Sequence, residues 1–401
     1  MKRVLLPFCV LVAASNAFGV KGKRTVGRRR VDQDISNAAA CIDETVTTAR
    51  KLHKGQILVP SSTNDETQFD TACVACPVVV PPSNDGEKWQ LYYYGNAGQW
   101  NDGSKGFLPT GWVGLAESED GIHWEKVVGP LENGAIFAPS DNADDWDSVH
   151  IGVGDVVRVS RNELHMYYFG GSSEETQLGP AGVVTGLRMR IGRAKSVDGG
   201  RTWERMGTVL NYDPSEGLFA SWPRIIPGKN RFQKWRMIYH SFDGRQWKIY
   251  GAKSSDKGKT WKRTGLILEG SEDGFDAMGT GTRGVTAWRG GHLMIYEGVN
   301  SEGSFSLGAA FDRNGRGKFE KIQDIAGCQE PGGPILKPGA GAMGPWTSLV
   351  VGTPYPVSMP DGSLRLYHVA KSSPEEGHSI GLVVSDSGDI SPASWRAANS
   401  N

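Results

Sequence analysis

The chain has 401 residues, 44 acidic against 44 basic side chains, five cysteines and a mean hydropathy of −0.38. Residues 1–31 hold eight Lys or Arg and no acid, so the rest carries 36 basic against 44 acidic side chains, a net of −8. An acidic body excludes a protein that tracks nucleic-acid phosphates with clustered cations, and so few cysteines exclude a disulfide-dense scaffold.

Residues 4–14 (VLLPFCVLVAA) follow Lys2 and Arg3 and lead to small residues up to Ala17. This pattern predicts a signal peptide over 1–17. The apolar run is too short to span a bilayer, so no membrane integration is expected. Residues 18–54 are first basic (Lys21, Lys23, Arg24, Arg28, Arg29 and Arg30), then read as a linker or loose helix. With Phe18 at the junction, the N-terminal region resembles the bipartite presequences of plastid proteins. That resemblance implies a plastid address; a secreted protein with a basic propeptide is the alternative.

From residue 55 the chain repeats itself. A small-residue strand runs into a Ser-x-Asp-Gly-like turn and an aromatic at Ala116–Trp124, Ala194–Trp203, Ala252–Trp261, Ala309–Phe319 and Val383–Trp395. Ahead of each lies an aromatic-ending strand (Trp89–Gly95, Leu164–Gly170, Trp235–Ser241, Leu293–Gly298, Leu364–Val369). Before that comes a β-rich piece at Pro77–Val80, Asp155–Val159, Pro223–Ile226, Arg283–Thr286 and Pro354–Val357, and each unit opens with a glycine-led segment at Gly55, Gly129, Gly207, Gly265 or Gly333. Four short strands per unit, bounded by Gly, Asp, Asn and Pro, predict antiparallel four-stranded sheets. Five units predict an all-β, five-bladed β-propeller over 55–396, with a tail at 397–401. The phase of the repeat leaves the last unit one strand short, so Gln56–Val59 is expected to complete it and close the ring. In the repeated turns, Asp120, Asp198 and Asp256 are expected to cap their own backbone, and the Trp to pack between sheets.

Function in such an architecture is expected at the axis, near the start of each unit's first strand. The polar residues there are Asp70, Cys73 and Cys76 in the first unit and Asp147, His150 and Asp155 in the second. The third holds Ser221, Trp222 and Arg224, the fourth Asp276 and Arg283, and the fifth Trp346, Thr353 and Tyr355. A second column runs through Tyr94, Phe169, His240, Glu297 and His368, and an ionisable group in an apolar strand needs a partner or a wet cavity. Cys73 and Cys76 form a lone C-x-x-C without a second pair, so buried free thiols are expected and no metal.

The repeated unit, with its W-x-L-Y-Y-x-G strand and S-x-D-G-x-x-W turn, resembles the five-bladed propellers of glycoside hydrolase families 43, 32 and 68, the arabinanases, invertases and levansucrases. The resemblance covers nearly all of 55–396. It implies hydrolysis of O-glycosyl bonds by paired carboxyls, a carbohydrate substrate, no cofactor and a monomer. It makes Asp70, Asp155, Glu297 and Asp147 the catalytic candidates, and His150, Trp222, Arg224, Asp276, Arg283, Tyr355 and His240 the substrate-binding ones. The sequence departs from the family pattern at two places. Cys76 stands before Pro77 where the family keeps its first acid, and no acid flanks Ser221–Pro223, where its proton donor would lie. A non-catalytic propeller that binds carbohydrate or a protein is therefore the alternative.

Overall fold

A computed structural model describes residues 52–398 except 63–67, 100–105, 179–181, 231 and 342. The expected signal peptide (1–17), nearly all of the transit-like segment (18–54) and the final three residues lie outside the described residues.

The chain opens with a short strand, β1 (Gln56–Leu58), and then lays down one antiparallel sheet after another. Sheet I is β2 (Cys73–Val80), β3 (Trp89–Asn96), β4 (Trp112–Ser118) and β5 (Glu125–Val127). Sheet II begins with β6 (His150–Ser160) and β7 (Glu163–Gly171). A two-stranded hairpin of β8 (Thr176–Gln177) and β9 (Val183–Val184) intervenes, and β10 (Arg190–Ser196) and β11 (Glu204–Leu210) complete the sheet. Sheet III is β12 (Ser221–Ile226), β13 (Trp235–Phe242), β14 (Trp247–Ser254) and β15 (Lys262–Leu268). Sheet IV is β16 (Gly279–Trp288), β17 (Gly291–Val299), β18 (Phe305–Asp312) and β19 (Glu320–Lys321). A single parallel pairing, Trp247 with Gly279, links sheets III and IV. Sheet V is β20 (Val350–Ser358), β21 (Leu364–Lys371) and β22 (Ser379–Ser385), with β1 and a short β23 (Arg396–Ala397) both paired to β22. Among the described residues there is no α-helix, only 3₁₀ turns at Pro345–Thr347 and Pro392–Ser394.

The first two strands of each sheet are buried on both faces, which is why they read as continuous apolar runs such as VVV and LYYY. The fourth strands β11 and β15 are exposed and open with charged residues. The glycine-led segments at Gly207 and Gly265 lie in these fourth strands, as expected. Those at Gly129 and Gly333 do not: β5 ends at Val127 and β19 at Lys321. Pro130 and Pro334 explain the difference, because proline has no N–H to give to a ladder.

Neighbouring sheets meet at their first strands: β2 touches β6, β6 touches β12, β12 touches β16, β16 touches β20, and β20 touches β2. A second seam runs through the repeated turns. Each turn is rigid because Ser118, Ser196 and Ser254 Oγ accept the N–H of Gly121, Gly200 and Gly258 at 2.8–2.9 Å. Asp120, Asp198 and Asp256 accept two further backbone N–H groups each. The carbonyl of a turn then receives a donor from the preceding sheet. Gln90 Nε2 reaches Gly199 O (2.7 Å), Tyr167 Oη reaches Gly258 O (3.1 Å) and Arg236 reaches Gly315 O. Trp288 Nε1 reaches Gly388 O (2.9 Å), and Tyr367 Oη of sheet V reaches Gly121 O of sheet I (2.8 Å). The turn tryptophans pack edge-on against the same neighbours: Trp203 on Tyr92, Trp261 on Tyr167, Trp124 on Tyr367.

Within four sheets a buried acid ties the second strand to the fourth. Asp70 accepts Tyr93 Oη (2.9 Å) and Lys126 Nζ (2.6 Å); Asp147 accepts Tyr168 Oη (2.9 Å) and Arg205 Nε (3.0 Å). Glu216 does the same with Tyr239 (2.8 Å) and Arg263 (3.1 Å), and Asp276 with Tyr296 (3.0 Å) and Lys321 (2.6 Å). In sheet V the corresponding pair is Trp346-Thr347, with His368 stacked on Trp346 in place of a tyrosine. Asp147→Ala leaves a buried tyrosine hydroxyl and a half-buried guanidinium without their acceptor. It is expected to lower the unfolding free energy by about 1–3 kcal/mol, measured by urea denaturation.

Candidate functional site

Every first strand breaks register with its partner at the same place. The shifts fall between Ala75 and Val78, Val153 and Asp155, Ser221 and Arg224, Thr280 and Arg283, and Gly352 and Tyr355. Such bulges re-aim side chains and gather beside functional sites. At three of them the extra residue has a positive φ without being glycine: Cys76 (53°), Trp222 (47°) and Thr353 (41°). For a β-branched threonine this is a genuine conformational outlier. A signal for these bulges stood in the sequence, since each of the three precedes a proline, and proline enters a central strand only where pairing breaks.

Four of the five bulges open onto a cavity of about 1020 Å³ whose wall takes residues from all five sheets, with Cys76, Trp222, Thr282 and Thr353 at the bulges. The wall includes seven Phe, Tyr or Trp side chains, among them Tyr94, Phe169, Trp247 and Trp346. Trp222 is not an open platform. Phe169 stacks on one face (centroids 4.0 Å apart) and His240 lies parallel at 5.2 Å, while its indole N–H points at Cys76 Sγ (3.2 Å).

Glu297, on β17, is fully buried and lines this cavity. Its Oε2 accepts the Thr353 N–H and the Thr282 hydroxyl, both at 3.0 Å, while Oε1 has no partner. The carboxyl lies between two glycines: a Cβ on Gly352 would come 2.4 Å from Oε2, and one on Gly281 2.9 Å from Oε1. Burial pushes its pKa up to about 7 against these two donors and the positive Arg283. Because Oε2 already takes two hydrogens, the proton of the neutral acid belongs on Oε1. The hydroxyl of Thr353, also facing the cavity, has no partner either.

Behind Trp222 and Glu297 sits a charged layer outside the cavity wall. Asp155 accepts Ile225 N–H (2.7 Å), Val156 N–H (3.0 Å) and Tyr355 Oη (3.1 Å), so both its oxygens are engaged; burial raises its pKa. Arg224 lies 4.9 Å from the Tyr355 ring centroid and gives Nε to Arg283 O (2.8 Å). Arg283 donates to His240 Nδ1 (2.8 Å), Ile238 O (3.0 Å) and Trp222 O. Burial, with the like charge of Arg224, holds the Arg283 guanidinium well below its usual range, and burial with the charge of Arg283 holds His240 well below the ordinary imidazole value.

The sequence candidates thus fall into three places. Glu297, Trp222 and His240 line the cavity; Asp155, Arg224, Arg283 and Tyr355 form the layer behind it. Asp70, Asp147 and Asp276 sit in the acid–tyrosine–cation clamps and do not line the cavity, nor does His150, whose Nε2 faces Gly186 O (2.8 Å) and whose pKa burial lowers to about 4. The sequence column through Glu297 needs one correction: across the first strands Gly352 pairs with Val369, as Ala75 does with Tyr94 and Ser221 with His240, so Val369 and not His368 completes it. Thr282, Gly281 and Gly352, which hold the Glu297 carboxyl, carried no separate signal. Cys73 and Cys76 are buried free thiols facing the cavity, pushed up by burial to about 12 and about 11. Among the described residues no three His, Cys, Asp or Glu side chains gather closely enough to hold a metal ion.

Chemically, the wall of the cavity holds one buried carboxyl that keeps its proton to near neutral pH, several Ser and Thr side chains and seven aromatic ones. Glu375 and Glu376 are exposed at its rim.

No protein-family model matches the chain, and no curated protein does. Solved structures match in fold. A protein described as a glycoside hydrolase superposes with a TM-score of 0.58 at 16% identity, covering 82% of this chain and 91% of its own. A thermostable family-43 glycoside hydrolase gives 0.54 at 16% identity over 80% and 91% of the two chains. A glycosyl hydrolase from Bacteroides ovatus gives 0.53 at 16% identity over 83% and 94%. At this identity the likeness is one of fold: the chain has the all-β architecture of these glycoside hydrolase structures.

Proposed function

We propose that the five sheets are the blades of a five-bladed β-propeller closed by β1, and that the cavity at its axis binds a carbohydrate. The ring reading rests on the cyclic order of first-strand contacts and on β1, which lies beside the last long strand of sheet V and buries Ile57 and Leu58. Burying two such side chains contributes about 3–6 kcal/mol. Deleting residues 55–60 is therefore expected to lower the melting temperature sharply, and an unchanged melting curve retires the closure.

The binding reading rests on one observation: a cavity of about 1020 Å³ whose wall combines seven aromatic side chains with a few polar ones, Glu297 and Thr353 among them. Apolar walls with a few convergent polar groups are the usual make-up of a small-molecule site. Aromatic rings suit the C–H faces of a sugar, and the exposed carboxylates of Glu375 and Glu376 suit its hydroxyls. Binding without hydrolysis is the better-supported form of this reading. Glycoside hydrolysis needs two carboxyls flanking the bond, and among the described residues Glu297 is the single buried carboxyl in the wall, with Asp155 fully engaged behind it.

Hydrolysis is favoured by one specific feature, the proton on Glu297 Oε1, which is what a general acid requires near neutral pH. A panel of aryl furanosides and pyranosides separates the two. Saturable binding without release of the aryl alcohol is expected. Turnover by the wild type that Glu297→Gln abolishes would establish the enzyme instead, and neither binding nor turnover would retire the carbohydrate reading.

The same residue sets a pH dependence of stability. The folded protein holds the Glu297 proton up to about pH 7, whereas an exposed glutamate releases it near 4.5. The folded state thus binds more protons in that window, and stability falls as pH rises through it, by about 3 kcal/mol in all. Glu297→Gln keeps the shape and donates from the same position. Its melting temperature is expected to vary less than the wild type's between pH 4.5 and 7 and to exceed it at pH 8; parallel profiles would remove the buried carboxyl from the account.

A further inference from the structure

The zero net charge of the chain conceals a segregation. In an antiparallel meander the connection between strands one and two and the turn between three and four lie at the same end, here the end opposite the bulges. At that end of sheet III, residues 227–236 (PGKNRFQKWR) hold four basic side chains and no acid, and residues 253–262 (KSSDKGKTWK) four basic and one acid, a net of +7. The corresponding segments of sheet I, 81–90 and 117–125, hold one basic side chain against six acids, a net of −5. The fold keeps the cations of sheet III against its own preferences. Across β13, β14 and β15, Arg236, Lys253 and Lys262 stand directly opposite one another, and like charges so placed destabilise a sheet. Sheet II has an ion pair at the same place, Lys195 with Glu204 (3.0 Å). Among the described residues, none of the three cations has a carboxylate within ion-pair distance. Lys257 and Arg289, the latter at the same end of sheet IV, take a left-handed backbone (φ 59° and 46°), and the turn of sheet II has Gly199 in the place of Lys257. A side chain in that conformation costs free energy that glycine does not. The other non-glycine residues with positive φ among those described are the three at the bulges.

The loop before β13 adds an apolar group to this charge. Phe232 is 81% exposed and stands between the exposed Lys229 and Lys234. Asn230 Oδ1 accepts the N–H groups of Phe232 and Gln233 (3.0 and 3.1 Å), and Gln233 Oε1 accepts that of Lys229 (3.0 Å), so the loop is held in shape. The turn of sheet IV brings the exposed Arg313, Arg316 and Lys318 alongside, because Arg236 bonds Gly315 O. We propose that this end of sheets III and IV docks on an anionic lipid surface, with Phe232 entering the headgroup region and the cations meeting lipid phosphates. A soluble polyanion engages the cations and leaves Phe232 in water, whereas a bilayer takes both. The acids of sheet I lie two sheets away, and screening over about 10 Å at 0.1 M salt keeps them from cancelling the attraction. The docking end is the other end of the sheets from the cavity, so a bilayer and a cavity ligand do not compete, and either can bind without the other.

The test is co-flotation of the full chain, at low salt, with vesicles of phosphatidylcholine alone or of equal parts phosphatidylcholine and phosphatidylglycerol. The wild type is expected to float with the mixed vesicles and not with phosphatidylcholine alone. Lys253→Gln combined with Lys262→Gln is expected to weaken that binding about tenfold or more, since each cation near an anionic surface is worth about fivefold. Phe232→Ser leaves the charge unchanged and is expected to weaken it about fivefold. The double lysine variant also loses the like-charge contacts, so its melting temperature is expected to equal or exceed the wild type's, which checks that it folds. Absence of flotation with the mixed vesicles overturns the proposal. So does flotation that both variants leave unchanged, which assigns the binding to the basic segment between residues 18 and 30. Binding of heparin without flotation overturns it as well and makes the surface one for a soluble polyanion.

Discussion

The interaction on which the rest depends is the hydrogen bond from one sheet to the turn carbonyl of the next. Two antiparallel sheets that merely abut have only side-chain packing to fix their angle. Here Gln90, Tyr167, Arg236, Trp288 and Tyr367 each bond a main-chain oxygen of the following turn, at Gly199, Gly258, Gly315, Gly388 and Gly121. The acceptor does not move, because Ser and Asp side chains in the turn already hold its backbone N–H groups. A seam fixed at the periphery relieves the first strands of that task. They touch one another with irregular register, and carry a bulge in every sheet.

This arrangement explains why the fold was legible in the sequence and the site was less so. The turn motif is local: Ser, Asp, Gly and Trp must stand at set spacings because they bond each other, so it survives as a visible repeat. The acid–tyrosine–cation clamp is also periodic, but its members lie twenty or more residues apart, and an Asp after an aromatic looks the same whether it faces a cavity or a lysine. Only the cations on the fourth strands, Lys126, Arg205, Arg263 and Lys321, tell the two apart, and they become neighbours of the acids through folding. Glu297 was legible for the opposite reason. It breaks a column that is otherwise aromatic or aliphatic apart from His240, and an exception within a repeat is easier to see than a member of one.

The departure from the family's acid pattern takes on a physical meaning at the bulges. At Cys76 the side chain accepts the Trp222 indole N–H, and Trp222 is itself held between Phe169 and His240. A carboxylate at position 76 would sit against a stack of rings, with the indole N–H as its one evident donor. The two positions where the sequence lacks acids therefore touch each other. One packed cluster fills both, so restoring one acid alone would bury a charge beside an aromatic stack.

The strongest argument for the proposed ligand site comes from what the fold does not need at Glu297. The positions equivalent to Glu297 hold Tyr94, Phe169, His240 and Val369, so a neutral side chain suffices for the architecture four times over. Holding a carboxyl at this place costs stability above its unfolded pKa, about 3 kcal/mol by pH 8. It also fixes Gly281 and Gly352, where a methyl group would collide with the carboxyl oxygens. The two hydrogen bonds to Oε2 offset part of that cost, but Oε1 is left without a partner, and the clamp and the turn seam run elsewhere. A group that weakens the fold, constrains its neighbours and stands in the wall of the cavity is what the proposed ligand site accounts for.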